Sequence, residues 1–161
     1  MNVRLYQAED WLKLCAVHDA ARQQALRAAG LPEAFLPVPI AAERESPFDY
    51  MLRVTSSTGR VVGWVAYDAQ ELAWLYVAPD AQRRGLGAAL VAAVPQDRPN
   101  VLSLELLQGN DTALAFYQRC GFGITGRHGG RMPGHERFAV RVQAMQWHGP
   151  DAAPAMHKST V

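Results

Sequence analysis

Residues 71–77, Glu71-Leu72-Ala73-Trp74-Leu75-Tyr76-Val77, are apolar on both faces after the first residue, as expected of a strand buried in mid-sheet. Pro79 and Asp80 punctuate the chain, and Gln82-Arg83-Arg84-Gly85-Leu86-Gly87 then leads into a small-residue helix over residues 88–94 that Pro95 ends. Strand, glycine loop and helix in that order bring several main-chain N–H groups together. Gly85 and Gly87 allow positive φ and close backbone approach, and the first helical turn offers unpaired donors. Its dipole adds roughly half a positive charge, so a phosphate or pyrophosphate suits the site. Arg83 and Arg84 add formal charge beside it. The plainer alternative is that the two glycines only make a tight strand-to-helix turn. A P-loop is excluded because no Gly-Lys-Ser/Thr follows, and a dinucleotide fingerprint fits poorly because Gly85-Leu86-Gly87-Ala88-Ala89-Leu90 lacks the third glycine.

Upstream, residues 3–6 read as a first strand, and residues 9–29 carry Leu14, Val17, Ala21 and Ala25 at helical spacing up to Gly30. Residues 31–47 hold Pro32, Pro37 and Pro39, which predicts a loop with at most one helical turn; the mixed run Glu43-Arg44-Glu45 reads as a solvated face. Strands over 49–55 and 60–67, joined by Ser56-Ser57-Thr58-Gly59, pair as a hairpin, and the strand over 71–77 extends it into an antiparallel meander. Downstream come a strand over 101–107, the turn Gln108-Gly109-Asn110 and a helix over 112–120 closed by Gly121. A long last strand through Phe138, Val140, Val142 and Ala144 pairs with a short run over 122–125. Residues 1–147 are expected to form one domain and residues 148–161 a mobile tail.

Composition limits the partners. Sixteen basic and fifteen acidic residues leave a formal charge of +1, which gives no electrostatic reason to expect nucleic acid or an anionic membrane. No apolar run approaches the roughly 20 residues of a membrane span, and Met1-Asn2-Val3-Arg4 lacks a signal-peptide core, so a cytoplasmic protein is expected. Cys15 and Cys120 sit in helical patterns, and His18, His128, His135, His148 and His157 show no ligand spacing, so neither a disulfide framework nor a metal is expected.

Residues 75–88, from Leu75-Tyr76-Val77-Ala78-Pro79-Asp80 through Gln82-Arg83-Arg84-Gly85-Leu86-Gly87-Ala88, resemble the acetyl-CoA motif of the GNAT N-acetyltransferase superfamily, Gln/Arg-x-x-Gly-x-Gly/Ala. A second segment, Asn110-Asp111-Thr112-Ala113-Leu114-Ala115-Phe116-Tyr117-Gln118-Arg119-Cys120-Gly121-Phe122, is similar to that family's later Asn-x-x-Ala-x-x-Phe-Tyr-x-x-x-Gly-Phe pattern. The resemblance covers about residues 3–147. It implies an α/β (α+β) fold with a central mixed, mostly antiparallel, twisted sheet of about six to seven strands, flanked by helices. The sheet would splay between its fourth and fifth strands to admit the pantetheine arm of acetyl-CoA as a pseudo-strand. Backbone groups of Tyr76 and Val77 would then pair with the arm, and N–H groups from Arg83 to Ala88, with Gln82 beside them, would hold the pyrophosphate. Asn110 resembles the family asparagine that contacts the arm or an ordered water, and it is also the natural N-cap of the helix that follows.

The implied chemistry is direct attack of a primary amine on the thioester in a ternary complex, the amine belonging to a small molecule or peptide. The amine must be neutral, although a lysine-like amine has a pKa near about 10.4, so a base is useful. Glu71, eleven residues before Gln82, matches the position that carries the base in some family members, and burial at the cleft mouth would raise its pKa. It also reads as an exposed charge at the start of a strand. The Val77 N–H would stabilise the oxyanion, and Tyr117, with an ordinary pKa near about 10, would protonate the leaving thiolate. One of the pair Phe116-Tyr117 must be core. Orientation alone supplies about 7–11 kcal/mol, so loss of Glu71 is expected to be tolerable. Cys120, with no histidine near it in sequence, reads as packing. Acceptor recognition would fall to residues 31–47 and 126–137; Trp74 and Phe48 could wall a pocket or be core. A homodimer is compatible with this reading. The rival readings are a non-catalytic acyl-CoA-binding module of the same fold and an NAD-dependent oxidoreductase, the latter disfavoured by the missing fingerprint.

Overall fold

The computed structural model describes residues 2–44, 46–94, 102–132 and 135–148. Among the described residues, seven strands form two sheets. The first has the order β1 (Asn2–Leu5), β2 (Met51–Ser57), β3 (Arg60–Tyr67), β4 (Leu72–Val77), every neighbour antiparallel. The second has β7 (His135–Trp147) in the middle, between β5 (Ser103–Leu107) and β6 (Phe122–Met132). The meander follows from local chemistry: Thr58 and Gly59 both adopt positive φ, 50° and 77°, the geometry of a two-residue hairpin turn whose twist matches its strands.

β4 and β5 run side by side in parallel but pair only at one end. A single bridge joins Glu71 to Ser103, and the Ser103 N–H donates to the Gln70 carbonyl at 2.9 Å. Beyond that point the two strands part, as a splay between the fourth and fifth strands requires.

Helices cover both faces. α1 (Trp11–Ala28) and α2 (Val38–Arg44) lie on one side, where Leu14, Val17 and Val38 pack against Val54, Trp64 and Trp74. α3 (Leu86–Ala93) and α4 (Asp111–Arg119) lie on the other, where Leu90, Val91 and Tyr117 pack against Val65, Leu104 and Met145. Burial from both sides leaves residues 61–67 of β3 with no exposed side chain. α1 ends in a Schellman motif: the Leu31 N–H reaches the Leu26 carbonyl at 2.8 Å and the Gly30 N–H reaches that of Arg27 at 3.1 Å. At its start, Asp10 is buried and bonded twice to Arg4, at 2.7 and 2.9 Å, and its Oδ2 accepts the Gln7 N–H.

Three expectations are corrected. Residues 31–47 are more ordered than a loop: α2 is a seven-residue helix, flanked by 3-10 turns at Pro32–Ala34 and Pro47–Asp49. Proline at Pro32, Pro39 and Pro47 falls in the first turn of its element, where its missing N–H costs nothing. The run over 122–125 is the base of an eleven-residue strand, because the exposed edge of β7 recruits Gly126, Arg127, His128, Gly129, Gly130 and Arg131 despite their weak strand propensity. His148, placed in the tail by sequence, is tied down by its N–H to the Gly121 carbonyl at 2.9 Å. The rest of that tail, residues 149–161, and the expected positions of Pro95 and Val101 lie outside the described residues.

Candidate functional site: an open seam between two sheets

The parting of β4 from β5 opens a cleft of about 1130 Å³, walled by α1 on one side and by α3 and α4 on the other. Glu71, Tyr76, Val77, Gln82, Arg83, Gly85, Leu86, Gly87, Ala88, Asn110 and Tyr117 all lie on its wall. The sequence brought them together through two motifs; the fold brings them together because both motifs flank one seam.

Which main-chain groups face the seam follows from the alternation of an antiparallel ladder. The Ala78 N–H donates to the Val62 carbonyl at 2.8 Å, so the next bonded pair along β4 is Tyr76 with Trp64, and Leu75 and Val77 turn their N–H and C=O groups away from β3. This corrects the expectation for Tyr76: its backbone is spent on β3, and its side chain is what lines the cleft. The groups free to pair with an inserted extended ligand belong to Val77 and to Leu75, which the motif reading passed over. The Val77 carbonyl already accepts Gln82 Nε2 at 3.0 Å, and the same nitrogen reaches Gln24 Oε1 at 2.8 Å, tying the end of β4 to α1.

The loop that follows is bent by two left-handed residues, Arg83 at φ 63° and Gly85 at φ 79°. Arg83 bears a conformational cost of about 1–2 kcal/mol that glycine would not. Gly87 has no positive φ, contrary to the expectation from sequence; it is small for another reason. A Cβ there would stand 3.0 Å from the Phe116 ring, so Gly87 lets the first turn of α3 close on α4. The first intrahelical bond of α3 runs from the Ala89 N–H to the Gly85 carbonyl, which leaves the N–H groups of Leu86, Gly87 and Ala88 without intrahelical partners. Arg84 is the other correction. It is not on the cleft wall, and its guanidinium donates back to the Asp80 carbonyl at 3.2 Å.

Across the seam, Asn110 caps α4, its Oδ1 accepting the Ala113 N–H at 3.4 Å. Tyr117 is buried against Phe122 and Phe116. Burial, with smaller contributions from Tyr76 and Cys120, pushes its phenol well above the ordinary value near 10, so it stays protonated throughout the physiological range and is a weaker acid than the sequence implied. Glu71 is half-buried at the closed end of the seam, and its Oε1 accepts the Tyr50 hydroxyl at 2.5 Å. Tyr50 was not singled out by sequence. Trp74 is both core and wall, 7% exposed, whereas Phe48 is half-exposed and packs on Tyr6 and Trp11, away from the cleft.

The α1 wall holds a third residue that sequence reasoning missed. His18 is 2% exposed and lines the cleft. Its signal was present, because position 18 is four residues after Leu14 and so shares the buried face of the helix. Among the described residues no group of His, Cys, Asp and Glu could hold a metal ion, and no helix is long and apolar enough to cross a membrane.

Comparison with known proteins agrees with this arrangement. Residues 49–124 match the family model of the acetyltransferase (GNAT) domain. The peptidyl-lysine N-acetyltransferase YiaC of Escherichia coli (strain K12) is 42% identical over 72 residues; the match takes in 44% of this chain and 49% of that protein, so it spans about half the length of the curated relative. A crystal structure from Rhodopseudomonas palustris, described as a GCN5-related N-acetyltransferase: aminotransferase, class-II, superimposes with a TM-score of 0.73 at 20% identity, covering 91% of this chain and 94% of that one. The ribosomal-protein-alanine N-acetyltransferase of Brucella melitensis gives 0.67 at 21% identity, covering 91% and 98%. Two motifs, a sheet that parts between β4 and β5, and these likenesses agree that residues 49–124 match a GNAT acetyltransferase domain and that the chain has the fold of the solved acetyltransferase structures it resembles.

Proposed function

We propose that this chain is an N-acetyltransferase, one domain over residues 1–147, that uses acetyl-CoA as co-substrate and acetylates a primary amine of a small molecule or peptide. The observation that carries the reading is the seam, closed by the Glu71–Ser103 bridge at one end and leading at the other to the unpaired amides of α3. An edge of β4 with free main-chain groups, continuous with a helix N-terminus, fits an extended amide-bearing arm that ends in a diphosphate. Acetyl-CoA, when bound, supplies the acyl thioester that the amine attacks.

The remaining roles belong to the chain. Leu75 and Val77 pair with the arm, and the Val77 N–H polarises the acyl oxygen; one such donor is worth about 2.7–4 kcal/mol. The amides from Arg83 to Ala88 hold the diphosphate, with Gln82 fixing the loop's approach. Asn110 keeps α4 in register with the arm through its cap. Glu71, held by Tyr50, accepts a proton at the closed end of the seam, and the Tyr117 hydroxyl holds the proton required by the departing sulfur. The relative that acetylates peptidyl-lysine supports a lysine side chain as acceptor. Calorimetry with CoA, followed by thiol release from acetyl-CoA in the presence of lysine peptides and small amines, tests the reading. Heat on CoA titration and acceptor-dependent thiol release are expected. Binding with no release on any amine would favour the non-catalytic module, a reading that the burial of Tyr117 supports.

A further inference from the structure

His18 is held as a base would be. Its Nδ1 lies 2.9 Å from Asp19 Oδ1, and the same oxygen accepts the Val38 N–H at 3.0 Å, so the start of α2 fixes the carboxylate that fixes the ring. An ionised carboxylate only accepts, which puts the ring proton on Nδ1 and leaves the lone pair on Nε2. The ring stands edge-on to Tyr76, centroids 4.8 Å apart, and 5.6 Å from Trp74. No hydrogen bond reaches Nε2 among the described residues, and the residue's remaining exposure opens on the cleft. A ring serving only to fill space between α1 and β4 would need no carboxylate to fix its orientation. Glu71, by contrast, already has one oxygen taken by Tyr50.

We propose that His18, oriented through Nδ1 by Asp19, is a catalytic residue of the acceptor half of the cleft, its Nε2 taking a proton from the nitrogen of the incoming primary amine. The inference rests on the acetyl-transfer reading. The amine N–H bond breaks with its electron pair staying on nitrogen, the proton bonds to Nε2, Asp19 balances the imidazolium charge, and water removes the proton afterwards. The titratable and charged groups facing the ring are Asp19 and Arg22 on α1 and Tyr76 on β4, while α2 meets the pair through the Val38 N–H. Burial holds the imidazole below its usual value near 6.5, against the opposing pull of Asp19, so Nε2 is free to accept at neutral pH.

The test compares wild type, His18→Gln and Asp19→Asn on a lysine peptide across pH, with CoA affinity measured separately by calorimetry. His18→Gln is expected to lower kcat about 10²-fold at pH 7.5 while CoA affinity stays within about twofold. The wild-type kcat should fall on acidification below about pH 6.5, and the variant should lack that limb. In Asp19→Asn the limb should move to lower pH, because a carboxylate that favours the charged ring is gone. A wild-type kcat in His18→Gln overturns the role of His18 and leaves acetyl transfer standing; a wild type that transfers to no amine overturns both. If His18→Gln does not fold, nitrogen-15 spectra of histidine-labelled wild type decide instead. A bare Nε2 at pH 7.5 is the expected tautomer, and a bare Nδ1 overturns the proposal.

Discussion

The two walls of the cleft are built from different material. The β4–α3 wall presents main chain: amides of Leu75 and Val77, then those of the loop and of the first turn of α3. The α1 wall presents side chains: His18, Arg22 and Gln24, steadied by Asp19 and Gln82. A main-chain wall is insensitive to most substitutions and depends on the few residues that shape the backbone. A side-chain wall can be dismantled one residue at a time.

That contrast is best broken at Gly85. A side chain at φ 79° costs about 1–2 kcal/mol, and the bend it would strain carries the amides expected to hold the diphosphate. Gly85→Val should lower CoA affinity by about 10²-fold or more in calorimetry, with a thermal midpoint only a few degrees lower. Retained affinity would place the diphosphate elsewhere. Tyr117→Phe should come next, lowering kcat about 10-fold or somewhat more with CoA affinity unchanged, since the phenol is a donor on the opposite side of the seam and not part of the amide wall. A wild-type rate removes Tyr117 from the chemistry.

The α1 wall should also betray itself in stability. The folded pKa of His18 is depressed, so below about pH 6.5 the unfolded chain takes up the proton first. Its contribution is fully present above that pH and is lost as pH falls toward the folded value, with a slope of at most about 1.4 kcal/mol per pH unit. Urea unfolding between pH 7.5 and 5 should show this fall, and His18→Gln should flatten it; an equally steep fall in the variant would assign it to other groups. The smallest effect is expected at Arg84, which turns to the Asp80 carbonyl: Arg84→Ala should change CoA affinity less than about twofold. A large loss would mean that the arginine swings onto the diphosphate.

Legibility followed the same division. The amide wall could be read from the sequence because glycines and a buried strand mark where backbone must bend and approach closely. The ladder phase could not, and it moved the pairing role from Tyr76 to Leu75: one residue of register decides which carbonyls face the seam. The α1 wall was hidden for a different reason. Helical spacing puts His18 on the buried face, but whether it is core or wall depends on β4 parting from β5, which a helix cannot report. The tyrosine that holds Glu71 lies 21 residues before it and meets it only through strand pairing.

The sequence alone determined the order of the strands and of every long helix, the antiparallel meander, the capped start of α4 and the glycine bend before α3, because each depends on periodicity or φ preference within a few residues. The tertiary structure decided the rest. It turned residues 38–44 into a helix against α1, drew a glycine- and arginine-rich stretch into β6, buried Tyr117 and set His18 beside Tyr76. Those outcomes depend on what a neighbouring element offers, such as an unpaired edge, an apolar face or a gap between sheets, and such offers exist only once distant segments have met.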